Sequence, residues 1–301
     1  MKNLKSIREK QSRVNLKWAT FVLPSLLFYL IFFCLPSVGT VYYSFTNWDG
    51  VTSKFIGLDN YIRLFQDKQI YQSLSNTIFY TIVIALVQNA IGLLLAVLLK
   101  KSTVRNNIFR TMIFMPYIFS SLLIGYVFKF MFESNIGSVN YILRGLGLES
   151  LIHSWLSDPD VAKWIIVMVT VWQNMGYTMV INIAGLQGID STYYEAAVLD
   201  GASRWQEFCK ITFPLIAPAT TINIMLSLIG NLQIFNQIYA ITGGGPAHMT
   251  ESIAVTVYRL GFSNEGAQWG YGAAMSVVMF VLILLLTLVI TTMLRKREVE
   301  M

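Results

Sequence analysis

Charge is scarce in this chain. Lys and Arg number 22 and Asp and Glu 16 among 301 residues, 13% in all, about half the share of an ordinary globular protein. Cysteine is scarcer still. Cys34 lies in an apolar run and Cys209 in a polar stretch, too few and too differently placed for a disulfide framework or a metal site. The two histidines, His153 and His248, stand alone, as surface residues rather than metal ligands. No G-x-x-x-x-G-K-[ST] pattern occurs, so the chain has no phosphate loop of its own. The glycine run from Thr242 to Pro246 lacks the lysine of such a loop and reads as a flexible re-entrant or outer turn.

What fills the composition instead is apolar: 55% of residues are hydrophobic and 14% aromatic. A soluble enzyme, a disordered chain and a disulfide-stapled secreted protein are all excluded. Six apolar stretches of membrane-spanning length lie near residues 18–46, 74–99, 111–132, 164–187, 212–238 and 270–294. Trp18, Tyr42, Tyr43 and Trp48 blur the edges of the first, as interfacial aromatics do. That first run is too long for a signal peptide and no small-residue cleavage site follows it. The expected organisation is a basic cytoplasmic tail over 1–17, a six-helix membrane domain over 18–294 and a second cytoplasmic tail over 295–301.

The net charge of +6 would hint at nucleic acid in a soluble protein. Here its distribution assigns it to topology, with no nucleic-acid partner. Lys2, Lys5, Arg8, Lys10, Arg13 and Lys17 precede the first span, Lys100, Lys101, Arg105 and Arg110 separate the second and third, and Arg295, Lys296 and Arg297 follow the sixth. Both termini are therefore expected on the cytoplasmic side. One inward loop breaks the rule. Residues 188–211 hold Arg204 and Lys210 against Asp190, Glu195, Asp200 and Glu207, a departure that marks a binding segment.

The interiors of the spans contain no Asp, Glu, Lys, Arg or His, which disfavours a proton-coupled secondary carrier or an ion pump. Neutral polar residues are grouped. Asn223, Ser227 and Asn231 recur at four-residue spacing on one helix face, with Gln233, Asn236 and Gln237 beyond. Thr170, Gln173, Asn174, Tyr177 and Thr178 fall within about two turns of the fourth span. Amides and hydroxyls beside Trp172, Tyr177 and Phe235 suit a sugar, which needs hydrogen bonds to its hydroxyls and flat apolar faces against its ring. Bonding between helices is the competing use of such side chains, and Gln88 and Asn89 in the second span are read that way.

The acidic loop reads as two short helices with a glycine corner. Ser191 is the expected N-cap of the first, Gly201 the turn, and Ser203 with Gln206 a capping box for the second. Trp205, Phe208 and Cys209 share a face, and Pro214 and Pro218 mark re-entry to the membrane.

This segment carries a resemblance. Glu195, Ala196, Ala197, Asp200, Gly201, Ala202, Phe208, Ile211, Pro214 and Pro218 match the EAA loop, over 190–218, of the membrane subunits of binding-protein-dependent ABC importers. Phe55–Tyr61 (FIGLDNY), Phe114-Met-Pro116, Gly137 with Asn140 and Leu143, and Thr242-Gly-Gly-Gly-Pro246 with Thr250 are similar to the maltose-permease-like, sugar-importing branch. The resemblance implies an all-α type I importer permease in the bacterial inner membrane, itself no enzyme. Its implied partners are a second homologous permease, two ATPases that carry ATP and Mg, an extracytoplasmic binding protein and a sugar, by kinship an oligosaccharide. The permease itself binds no cofactor. Glu195, Ala196, Asp200, Gly201 and Phe208 would contact or shape the ATPase docking loop. Gln173, Asn174, Tyr177, Asn223, Ser227 and Asn231 are the expected sugar contacts, Tyr177, Ser227 and Asn231 by resemblance as well as by grouping. A polyol or glycerol phosphate is the alternative cargo.

Overall fold

The computed structural model describes residues 21–262 and 268–295. The basic tail over 1–17 and the side chains of Arg295, Lys296 and Arg297 lie outside the described residues. In chain order the helices are α1 (Phe21–Tyr43), α2 (Asp59–Leu64), α3 (Lys68–Leu98), α4 (Val104–Ile118), α5 (Ser121–Met131), α6 (Ser138–Gly145) and α7 (Pro159–Gln187). There follow α8 (Ser191–Leu199), α9 (Arg204–Leu215), α10 (Ala217–Leu232), α11 (Asn236–Ile241), α12 (Ile253–Phe262) and α13 (Trp269–Arg295). Among the described residues the only β feature is an isolated bridge between Thr46 and Phe55.

Helices α1, α3, α7 and α13 are each long and apolar enough to cross a membrane, and the bent pairs α4–α5 and α9–α10 bring the number to six. The 31 residues of α3 rise about 46 Å, well beyond the ~30 Å hydrocarbon core. The expected third span is two helices at 93°. Pro116 removes a ladder hydrogen bond, and three residues later Phe119 turns extended at ψ 149°. The second bend, 66°, falls at Ile216, between Pro214 and Pro218. Pro218 leaves the Pro214 carbonyl without its ladder donor. The expected fifth span also ends early, at Leu232, so the Asn223, Ser227 and Asn231 stripe and Asn236 belong to different helices.

The chain divides into two units, residues up to Leu64 with Leu260–Val278, and Phe65–Arg259 with the residues from Met279 on. In the first unit α1 buries none of its residues. The link after it is held by Asn60, whose amide donates to the carbonyls of Ser44 (2.9 Å) and Thr46 (2.8 Å), and by Tyr61, whose hydroxyl bonds Ser44 Oγ at 2.7 Å. Trp269 packs edge-on against Trp48, and the Arg63 guanidinium lies 4.3 Å above the Tyr271 ring.

In the second unit two apolar clusters form, one around Tyr80, Ile84, Ile166, Val169, Ile238 and Ile241 and the other around Ala96, Met179, Ile183, Leu186, Ile189 and Ile216. The first takes the N-terminal halves of α3 and α7, the second their C-terminal halves, so these helices run in the same direction. Helix α10 runs against them, from Ile216 in the second cluster toward Ile234 in the first. Asp67 and Asp158 cap α3 and α7, accepting backbone N–H groups the helices cannot bond internally.

Two further asparagines clasp loops as Asn60 does. Asn76 donates to the carbonyls of Met249 and Glu251. Asn140 donates to those of Ser134 and His153 and accepts from the Trp155 indole at 2.7 Å. The 242–252 turn is pinned throughout: Thr242 and Thr250 hydroxyls bond at 2.9 Å, Tyr80 donates to Thr250 O, and Ser252 donates to Ile234 O. At its centre Glu251, fully buried, accepts from Arg259, Thr256 and His248.

Helices approach closely where a side chain is missing. A Cβ on Gly176 would lie 2.3 Å from Ile113 O and 2.7 Å from Phe114 Cα, backbone atoms that cannot turn aside. Gly176→Ala should therefore cost about 1–3 kcal/mol and lower the thermal unfolding midpoint in detergent, whereas Gly145→Ala, with nothing within 4 Å of the added carbon, should not. Equal midpoints for the two variants would refute the close contact of α4 and α7.

Candidate functional site

Between the two apolar clusters the facing sides of α3, α7 and α10 turn polar, and there a cavity of about 360 Å³ opens. That volume lies within the range of small-molecule sites, ~300–1,000 Å³. Asn174 and Tyr177 on α7 and Asn223, Ser227 and Asn231 on α10 all line it. The break after Leu232 adds Gln233, Ile234 and Phe235, which a continuous helix would have pointed in successive directions.

Hydrogen bonds fix this wall. Gln88 donates to Thr178 Oγ1 at 2.9 Å, Asn89 to Ser227 Oγ at 2.8 Å, and Asn223 to the Thr178 carbonyl at 3.2 Å. These bonds tie α3 to α7, α3 to α10 and α10 to α7. Tyr177 stacks on Tyr117 of α4, ring centroids 4.7 Å apart and planes at 16°. Asn231 is buried beside the cavity and its side chain makes no hydrogen bond with any described residue, and among the described residues the Asn223 Oδ1 also lacks a partner.

Gln173 is placed differently. Its amide donates to Phe119 O (3.2 Å) and Ser121 Oγ (3.1 Å), and its Oε1 accepts from Gln237 at 3.2 Å. It joins α7 to the α4–α5 break and to α11, and it does not line the cavity. Gln88 both lines the cavity and ties helices. Tyr117 went unselected in the sequence, because its partner lies 60 residues away and no periodicity links them. Trp172 packs edge-on against Phe128, away from the lining.

No carboxylate, imidazole, thiol or ammonium stands among the lining residues. Among the described residues no group of three or more His, Cys, Asp or Glu side chains is placed to hold a metal. What the wall offers is neutral amides, hydroxyls and ring faces, which bind and orient without proton transfer.

The acidic segment forms a second concavity of about 410 Å³, lined in part by Ala196, Asp200, Gly201, Gln206 and Lys210. Asp190, not Ser191, caps α8, accepting from Thr192 N at 2.9 Å. The Thr192 backbone amide and then its hydroxyl hold the Asp190 carboxyl below the usual carboxylate range, so the charged cap is lost only as pH falls through that lowered value. Gly201 takes the left-handed conformation, φ +71°, and Ser203 with Gln206 completes the capping box. Glu195 stands exposed beside the concavity. Phe208 stacks on Trp205 at 5.8 Å, leaving Trp205 72% exposed. Lys100 reaches Glu207 at 3.8 Å and lies over the Tyr194 ring, which fastens the segment to the end of α3.

The profile of the family described as the binding-protein-dependent transport system inner membrane component matches residues 88–299. The chain belongs to this family. It is 33% identical over 282 residues, 93% of this chain and 94% of the relative, to the probable starch degradation products transport system permease protein AmyD of Thermoanaerobacterium thermosulfurigenes. It is 34% identical over 271 residues, 88% and 90% of the two chains, to the sn-glycerol-3-phosphate transport system permease protein UgpA of Agrobacterium fabrum. In structure it is similar to a bacterial ABC transporter involved in the import of the acidic polysaccharide alginate, with TM-score 0.85, 25% identity and coverage of 97% of this chain and 99% of that one. As an inner membrane component of this kind it is a multi-pass permease and not a catalyst.

The bonding in this permease separates two kinds of amide. Gln173→Leu would leave Phe119 O, Ser121 Oγ and the Gln237 amide unpaired, on the order of 1–3 kcal/mol for each buried group, and should lower the unfolding midpoint in detergent. Asn231→Leu removes no bond and should leave the midpoint nearly unchanged. The opposite order would show that Asn231, not Gln173, holds the helices.

Proposed function

We propose that this permease is one of two homologous transmembrane subunits of an ATP-driven importer that carries a neutral sugar, an oligosaccharide, into the cytoplasm. The observation that carries the reading is the cavity midway along the spans, lined with amides, hydroxyls and rings and without a charge. Sugars are recognised by such groups, and a site that must release its cargo is served by a few uncharged hydrogen bonds. The starch-product relative supports a sugar, and the family description supports delivery by a binding protein. The glycerol-phosphate relative makes a phosphate the second reading. The lining has no Lys or Arg to meet one, so a phosphate would need cations from the other permease.

In this reading both termini face the cytoplasm and two ATPase subunits bind there, holding ATP and Mg that this chain does not. The segment from Glu195 to Phe208 enters a cleft on one ATPase, with Glu195, Ala196 and Asp200 at the contact, Gly201 as the bend and Phe208 as the anchor. Closure of the ATPases on ATP moves that segment and tips the helices toward the outward-open state. The binding protein then releases sugar onto Asn174, Tyr177, Asn223, Ser227 and Asn231, and hydrolysis returns the site to the cytoplasm.

Reconstitution of the complex with its binding protein tests this. Among neutral sugars, polyols and glycerol phosphates, an oligosaccharide should stimulate ATP hydrolysis most. Asn231→Leu and Tyr177→Ala should each lower its uptake about tenfold, the worth of one or two hydrogen bonds, with the complex still assembled. Glu195→Lys should leave insertion intact and abolish the coupling of hydrolysis to uptake. Stimulation by a glycerol phosphate alone would replace the sugar reading, and wild-type uptake by Glu195→Lys would remove the docking role.

A further inference from the structure

One turn beyond the cavity, toward α8, the contact between α7 and α10 holds polar side-chain atoms with no hydrogen-bond partner among the described residues. Thr178, Asn182 and Gly185 follow one another along a single face of α7. The Thr178 carbonyl accepts from Asn223 of α10. Two turns along α7, a Cβ on Gly185 would come within 2.5 Å of the Ala219 Cβ, also of α10. Asn182 sits between these two contacts and is 1% exposed. Neither its Nδ2 nor its Oδ1 has a partner, and the Asn223 Oδ1 beside the cavity has none either. The surroundings are the second apolar cluster, with Met179, Ile183 and Leu186 before and after Asn182 on α7 and Ile216 at the foot of α10.

A primary amide enclosed by aliphatic side chains without a partner weakens the contact that encloses it. Leucine has the same branching, with bulkier end groups, and would leave no polar atom unpaired at this place in the closed seam. The amide becomes favourable only when something with hydroxyls reaches it. We infer that the α7–α10 seam beyond Asn223 is a cryptic extension of the cavity. When the seam parts, the Asn182 amide and the Asn223 Oδ1 take the hydroxyls of a neutral polyhydroxylated ligand on its way toward the α8 side. The extension rests on the reading of the chain as a sugar-importing permease.

The acidic segment is built to move this seam. Tyr194 of α8 packs against the same apolar cluster, and its hydroxyl bonds Thr212 Oγ1 on α9 at 3.3 Å. A pull on α8 therefore reaches the foot of α10 directly. The seam is closed by the Gly185–Ala219 approach, the 3.2 Å bond from Asn223 to the Thr178 carbonyl and the apolar packing of Ile216 against α7, so a shift at the foot of α10 acts on all three.

The test uses the reconstituted complex carrying Cys34→Ser and Cys209→Ser. With Asn182→Cys added, a membrane-impermeant methanethiosulfonate should modify the chain during ATP turnover and not in the complex held outward-open by a non-hydrolysable ATP analogue. In the second arm, Asn182→Leu should raise the unfolding midpoint in detergent by a few degrees, since it removes unpaired atoms. The saturated transport rate should fall about tenfold, the worth of roughly one amide hydrogen bond in the opened seam, with KM unchanged. Absence of modification in a complex that imports sugar normally would overturn the inference. So would a lowered midpoint for Asn182→Leu, which would make the amide an ordinary structural one, or an unchanged transport rate. Modification during turnover without uptake of any neutral sugar would uphold the opening of the seam and count against the cargo reading instead.

Discussion

Inside a bilayer a polar group has no water to fall back on, and an amide placed there is costly unless it finds a partner or faces a cavity. The rest of this structure follows from how that demand is met. Gln88, Asn89 and Asn223 reach between α3, α7 and α10, and Gln173 reaches from α7 to the α4–α5 break and to α11. Lipid tails are as apolar as the aliphatic side chains of the helices, so apolar burial alone does little to select one helix partner over another. The amides select it, and the close approaches at Gly92, Gly176 and Gly185 bring the backbones near enough for short side chains to bridge.

The same demand shapes the cavity. Apolar clusters lie at both ends of the polar layer, so a ligand there meets amides and rings between two bands of hydrocarbon. A charge in such a place would bind a counter-charge tightly and hold it. Neutral hydrogen bonds, worth about 0.5–1.5 kcal/mol each, permit loading and release within one cycle. The charged residues the chain does keep serve elsewhere, as caps at Asp67, Asp158 and Asp190 and as the buried Glu251–Arg259 pair that centres the 242–252 turn.

Local pattern was legible in the sequence and long-range pairing was not. The i, i+4, i+8 run of Asn223, Ser227 and Asn231 appears as one face because a single helix carries it, and the Ser203–Gln206 box spans three residues. The cap of α8 was misplaced by one position because Asp190 and Ser191 are both good caps and only the backbone decides between them. Gln173 looked like Asn174, its neighbour, although one faces a helix junction and the other the cavity. The bend at Phe119 was invisible to an average over about 20 apolar residues, which is blind to a break that keeps hydropathy high on both sides. Glu251 gave no sign of burial, since its partners Arg259, Thr256 and His248 surround it only once the turn has closed.

Three of the links between helices share one device, an asparagine whose amide grips two backbone carbonyls: Asn60 over 44–46, Asn76 over 249–251 and Asn140 over 134 and 153. A clasp of this kind carries no net charge, so it has no ion atmosphere to lose and nothing for dissolved salt to screen. These clasps accordingly hold alike in dilute and in concentrated electrolyte.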